Sequence, residues 1–87
     1  MEFTYKTNGV CSRSILIDVD DENGTVNSVS YVGGCNGNLQ GIGQLVKGMK
    51  IDDVIEKLQS IKCGYKNTSC PAQLAEALKE YKSAKGE

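Results

Sequence analysis

The chain contains no histidine. Zinc sites with imidazole ligands, and nucleophilic pairs in which a histidine acts as base, cannot be assembled from this chain alone, which removes most hydrolytic mechanisms. No window approaches the roughly 18 consecutive apolar residues of a membrane span, so no transmembrane helix is expected. Charge of one sign is never concentrated. Lys plus Arg number 10 against 11 Asp plus Glu, for a net charge of -1, and this balance argues against a phosphate-neutralising, nucleic-acid-binding surface. The opening residues, Met1-Glu2-Phe3-Thr4-Tyr5-Lys6, lack a basic segment followed by an apolar stretch. No signal peptide is expected there, and the expected location is cytoplasmic. Paired Cys-x-x-Cys motifs are also missing: Cys11, Cys35, Cys63 and Cys70 stand 24, 28 and 7 positions apart, a spacing unlike that of zinc ribbons or fingers.

Those four cysteines are nevertheless the main chemical feature of the chain. At 87 residues one domain, residues 1–87, is expected, in the size range where a hydrophobic core alone is marginal and a staple is often recruited. The staple is a disulfide pair in an oxidising compartment and a metal in a reducing one. Without an export signal the metal reading leads, with Cys11, Cys35, Cys63 and Cys70 as ligands and zinc as the expected ion, because thiolates in a tetrahedral shell suit closed zinc sites. Four cysteines buried as small hydrophobes is the competing structural reading.

Phe3 and Tyr5 alternate with Thr4 and Lys6 over residues 2–7, a strand pattern, and Asn8-Gly9 then marks a turn. Ile15, Ile17 and Val19 lie on one face of a second strand over 14–20, and Asp21-Glu22-Asn23-Gly24 is the next turn. Residues 25–32 favour a third strand whose imperfect alternation admits a bulge. After the glycine-rich Gly33-Gly34-Cys35-Asn36-Gly37, a helix starting near Asn36 or Asn38 carries Leu39, Ile42, Leu45 and Val46 at helical spacing. Gly41 and Gly43 inside it point to closely packed backbone, and Gly48 is placed to end it. A second helix has Ile51, Val54, Ile55, Leu58 and Ile61 on one stripe. Thr68-Ser69-Cys70-Pro71 opens a third, with Leu74, Ala77, Leu78 and Tyr81 as its buried face and a fraying tail from Ser83. Strands first and helices afterwards make the fold class α+β: a three-stranded antiparallel meander followed by three helices.

This arrangement puts Cys35 and Cys70 at helix starts, where free amides and the positive dipole end favour a thiolate. Cys11 follows the first hairpin, at the end of the sheet from which the third strand leaves toward Cys35. Three other patterns have plainer readings. Asp18, Asp20 and Glu22 read as a solvated hairpin turn, because the glycine falls one position late for a calcium loop. The glycines of 33–43 match no phosphate-binding fingerprint. Asn67-Thr68-Ser69 fits a glycosylation sequon that has no use in a cytosolic setting.

Thr68-Ser69-Cys70-Pro71, with Gly9-Val10-Cys11-Ser12-Arg13, Val32-Gly33-Gly34-Cys35-Asn36-Gly37-Asn38 and Lys62-Cys63-Gly64, resembles a stand-alone member of the TSCPD family of small four-cysteine proteins. The resemblance covers nearly the whole chain; Ala72 stands where the family name has Asp. Related modules form the C-terminal portion of adenosylcobalamin-dependent ribonucleotide reductases, which implies a link to ribonucleotide reduction and a reductase or other protein as partner. No catalytic residue is assigned, since 87 residues do not hold that radical chemistry unaided.

More distantly, the order of elements resembles NifU/IscU-type iron-sulfur scaffold proteins. On that comparison Cys11, Cys35 and Cys70 fall where the scaffold has its cysteines, Arg13 and Ser69 replace its Asp and His, and Cys63 supplies a fourth thiolate. The expected role is a zinc-binding accessory module. The alternatives are an iron-sulfur cluster binding or delivery protein, and a redox dithiol donor to a ribonucleoside-diphosphate reductase. Oligomeric state is not legible in the sequence.

Overall fold

The computed structural model describes residues 1–7, 10, 12–33, 36–61 and 69–84. Strand β1 (Glu2–Lys6) pairs antiparallel with β2 (Ser12–Asp20), and β2 pairs antiparallel with β3 (Thr25–Gly33), so the sheet has the order β1-β2-β3. Helices α1 (Asn36–Val46), α2 (Ile51–Leu58) and α3 (Cys70–Ala84) follow. This is the α+β meander-then-helices arrangement that the sequence pattern implies. Between Asp18 and Val19 the register slips, with Asp18 opposite Ser28 and Val19 opposite Val26. The imperfect alternation of β3 is therefore a bulge, and Asn27 is the extra residue.

The alternation of β2 determines what covers the sheet. Ile15, Ile17 and Val19 are buried and meet Val26, Val54, Leu74, Ala77, Leu78 and Tyr81, while Leu16, 46 % exposed, lies on the opposite face. Phe3 of β1 joins the helical side by stacking on Tyr81, ring centroids 5.6 Å apart and planes 2° from parallel. The start of β3 is closed along its outer edge by the segment after α1. Val26 N–H donates to Met49 C=O at 2.8 Å, and Gly48 N–H donates to Val26 C=O at 2.7 Å. Gly48 makes that reversal with φ +84, a conformation that side-chain-bearing residues rarely adopt.

Only one of the two interior glycines of α1 meets backbone. A Cβ at Gly43 would sit 2.6 Å from the Val29 carbonyl oxygen, so α1 lies directly against β3; a Cβ at Gly41 would meet nothing within 4 Å. Leu45 also departs from the expected pattern. It is 78 % exposed, because Leu39, Gly43 and Val46 occupy the side of α1 that faces the sheet, and Leu45 falls on the opposite side of the helix. Likewise α2 ends at Leu58, which leaves Ile61, 40 % exposed, beyond the stripe assigned to it.

Candidate functional site

Chain direction sorts the helix ends. Helix α1 leaves the sheet after Gly33 and returns beside Val26; α2 begins where Ile51 N–H donates to Gly24 C=O at 2.9 Å and runs back; α3 starts beside Ser12 and finishes near Asp21. The N-termini of α1 and α3 and the segment after α2 thus collect at the end of the sheet formed by Lys6, Ser12 and Gly33.

That end is knit together by short side chains. Thr7 Oγ1 donates to Ser12 C=O at 2.5 Å and Thr7 N–H donates to Arg13 C=O at 3.1 Å; Thr7 and Ser12 are both buried. Ser12 and Gly33 are partners across β2 and β3. Gly33 has φ +80, and a Cβ there would meet Arg13 Nε at 3.4 Å, so glycine suits the last residue of β3. Ser69 caps α3. Its hydroxyl accepts from Ala72 N–H at 3.1 Å and donates to Ile61 C=O at 2.7 Å, and its own carbonyl takes the first helical bond, from Gln73 N–H at 2.8 Å. A serine hydroxyl that accepts from the helix and donates away from it fixes the start of α3 and the segment after α2 in one step.

Cys70 is the first residue of α3 and is buried. Its sulfur lies 3.2 Å from Ser12 Oγ, and its carbonyl accepts from Tyr31 O–H at 3.0 Å. Burial, and behind it the Cys70 charge, holds the Tyr31 phenol well above its ordinary pKa, so this phenol stays a hydrogen-bond donor. Cys70 is therefore tied to β2 through its side chain and to β3 through its backbone.

Of the four cysteines singled out in the sequence, Cys70 is placed as expected, opening a helix. Cys11, Cys35 and Cys63 lie outside the described residues. Their described neighbours do gather around Cys70: Ser12 follows Cys11, Gly33 precedes Cys35 by two positions and Ile61 precedes Cys63 by two. Ser12 touches the Cys70 sulfur, Gly33 pairs with Ser12, and Ile61 bonds to Ser69. Among the described residues no three His, Cys, Asp or Glu side chains cluster. A cysteine sulfur with a buried hydroxyl beside it is a donor that suits a soft or borderline metal such as zinc or iron better than a hard, oxygen-seeking cation.

The TSCPD domain model matches residues 3–82. The chain belongs to the TSCPD domain family. That match runs from the second residue of β1 to the last turn of α3 and takes in all four cysteines. No curated protein and no solved structure matches the TSCPD chain. Among its described residues no helix is long and apolar enough to cross a membrane.

The sequence missed Ser12, Thr7 and Tyr31 as parts of this end. A serine next to Cys11 and a threonine before Asn8-Gly9 carry no pattern of their own. Tyr31 sits in a strand where β-propensity already accounts for an aromatic residue.

Proposed function

We propose that this TSCPD protein is a small zinc-binding accessory module in which Cys11, Cys35, Cys63 and Cys70 together hold one ion. The supporting observation is the 3.2 Å approach of Ser12 Oγ to Cys70 Sγ, which brings the chain beside Cys11 to a buried cysteine 58 residues further on. Covalent reach does the rest. Cys11 is the chain neighbour of Ser12, and Cys35 and Cys63 follow Gly33 and Ile61 by two positions each, a span that an extended chain covers in about 7 Å. Four thiolates would close a tetrahedral site with no open position, and a closed site supports folding, not catalysis. The cross-link would join β2, β3, the segment after α2 and the start of α3 in a chain short enough to need it. In this reading the module serves another protein, and membership of the family makes a ribonucleotide reductase the first partner to try.

The strand and helix order, with Cys70 opening α3, also suits an iron-sulfur centre built on the same thiolates. A dithiol donor fits less well, because exchange needs an accessible sulfur and Cys70 is only 7 % exposed. Elemental analysis with a visible spectrum on anaerobically purified protein separates the three. About one zinc per chain without colour is the expected result. Iron with visible absorbance would replace zinc by a cluster, and no metal with fewer than four titratable thiols would defeat the metal reading.

A further inference from the structure

We propose that Ser12 is the positioning residue of this centre: its hydroxyl donates a hydrogen bond to the Cys70 sulfur and holds it in place for coordination. The inference rests on the reading of the cysteines as ligands and adds a residue that is not itself a ligand.

Three observations carry it. Ser12 is 4 % exposed, and its Oγ lies 3.2 Å from Cys70 Sγ across the 58-residue separation. The main chain of Ser12 is fixed on both sides, by Thr7 Oγ1 on its carbonyl and by pairing with Gly33, so the hydroxyl is aimed by the end of β2 and not by a mobile loop. Cys70 is fixed in turn, by its place in the first turn of α3 and by the Tyr31 bond to its carbonyl. Two rigid elements therefore meet at one O–H and one sulfur.

Chemistry then gives the direction of the bond. Between a hydroxyl and a neutral thiol either atom can donate. A metal-bound sulfur is a thiolate with no proton, so the Ser12 O–H must be the donor. The neutral thiol is a weak acceptor, whereas a bond to the thiolate is charge-assisted and stronger. A buried hydroxyl at this place is matched to the ionised sulfur. It spreads part of the negative charge that four thiolates around one divalent cation would concentrate, and it orients a ligand lone pair as outer partners of metal ligands generally do.

The test compares the wild type with Ser12→Ala and Ser12→Thr in the full chain. Zinc affinity is read by competition with a chromophoric chelator, the sulfur-to-metal charge-transfer band is read after cobalt(II) substitution, and the melting point is read without metal. Ser12→Ala is expected to bind one metal about 10–100-fold more weakly, with the band moved to lower energy. Ser12→Thr, which keeps the hydroxyl, is expected to restore both. Unchanged affinity and an unchanged band in Ser12→Ala would overturn the proposal. So would a loss of affinity that Ser12→Thr does not recover, since that pattern belongs to packing alone. If Ser12→Ala does not fold, cadmium-113-substituted wild type decides: a scalar coupling between the Ser12 hydroxyl proton and the metal is expected, and its absence overturns the proposal. A wild type that takes up neither zinc, cobalt nor cadmium defeats the ligand reading itself and is distinguished by that result.

Discussion

The two ends of the sheet are held by different means. At the end formed by the β2–β3 turn, the chain closes itself with its own polar groups. The Asp20 carboxylate accepts from Glu22 N–H at 3.0 Å, from Asn23 N–H at 3.2 Å and from Asn23 Nδ2 at 2.9 Å, and these bonds, the Asn23 side chain first, hold its pKa below the ordinary value. Tyr81 O–H donates to Asp21, Lys82 bonds to Asp52, and the segment 48–51 pairs with Gly24 and Val26. At the other end the described bonds converge on Cys70 and on the neighbours of the remaining cysteines. The first end is tied by carboxylates and backbone, and the second by hydroxyls around the Cys70 sulfur. At this second end the starts of α1 and α3 and the segment after α2 meet three strand ends, at Lys6, Ser12 and Gly33.

This contrast can be broken first at the cysteine end. Cys70→Ser is expected to abolish stoichiometric zinc and to loosen the domain, because a structural zinc contributes on the order of 10 kcal/mol to folding; metal analysis and thermal melting check it. Amide exchange should accelerate around Ser12, Gly33 and Ser69 before it does around Val26 and Ile51. The shared core responds differently. Leu74→Ala, at a fully buried position, should cost about 2–5 kcal/mol in denaturant unfolding with zinc stoichiometry retained. Helix α1 offers a sharper pair. Gly43→Ala forces a Cβ into the Val29 carbonyl and should destabilise by about 1–3 kcal/mol. Gly41→Ala enters open space and should gain about 1 kcal/mol through helix propensity. Tyr31→Phe, which removes the bond to the Cys70 carbonyl, is of the same size as Gly41→Ala and should cost about 1 kcal/mol, seen in the melting point of the zinc-loaded protein.

Much of the fold was legible because period and punctuation agree. Ile15, Ile17 and Val19 mark β2, Asp21–Gly24 marks the turn, and Ser69-Cys70-Pro71 marks the start of α3, each for a local reason that tertiary packing then reinforces. Strand β2 begins at Ser12, two residues before its hydrophobic alternation, since Ser12 is held by pairing with Gly33 and Arg13 by the bond from Thr7 N–H to its carbonyl, not by apolar periodicity. Leu45 shows the opposite limit: its spacing on α1 is helical, yet which side of a short helix meets a sheet is decided by neighbours such as Gly43. Gly41 had the same sequence signal as Gly43 without a backbone contact to explain it. In the candidate site, the helix-start position of Cys70 was readable from its capping residues. Ser12 and Tyr31 were not, because their bonds to Cys70 span 58 and 39 residues and leave no trace in local pattern, and Thr7 belongs to the site only through its bond to Ser12.

Whether Cys11, Cys35, Cys63 and Cys70 share one ion is read at the metal itself, by X-ray absorption at the metal edge of anaerobically purified protein. A zinc edge with four sulfur neighbours at about 2.3 Å and no nitrogen or oxygen neighbour is expected. A shell with oxygen or nitrogen ligands, or with fewer than four sulfurs, would contradict it.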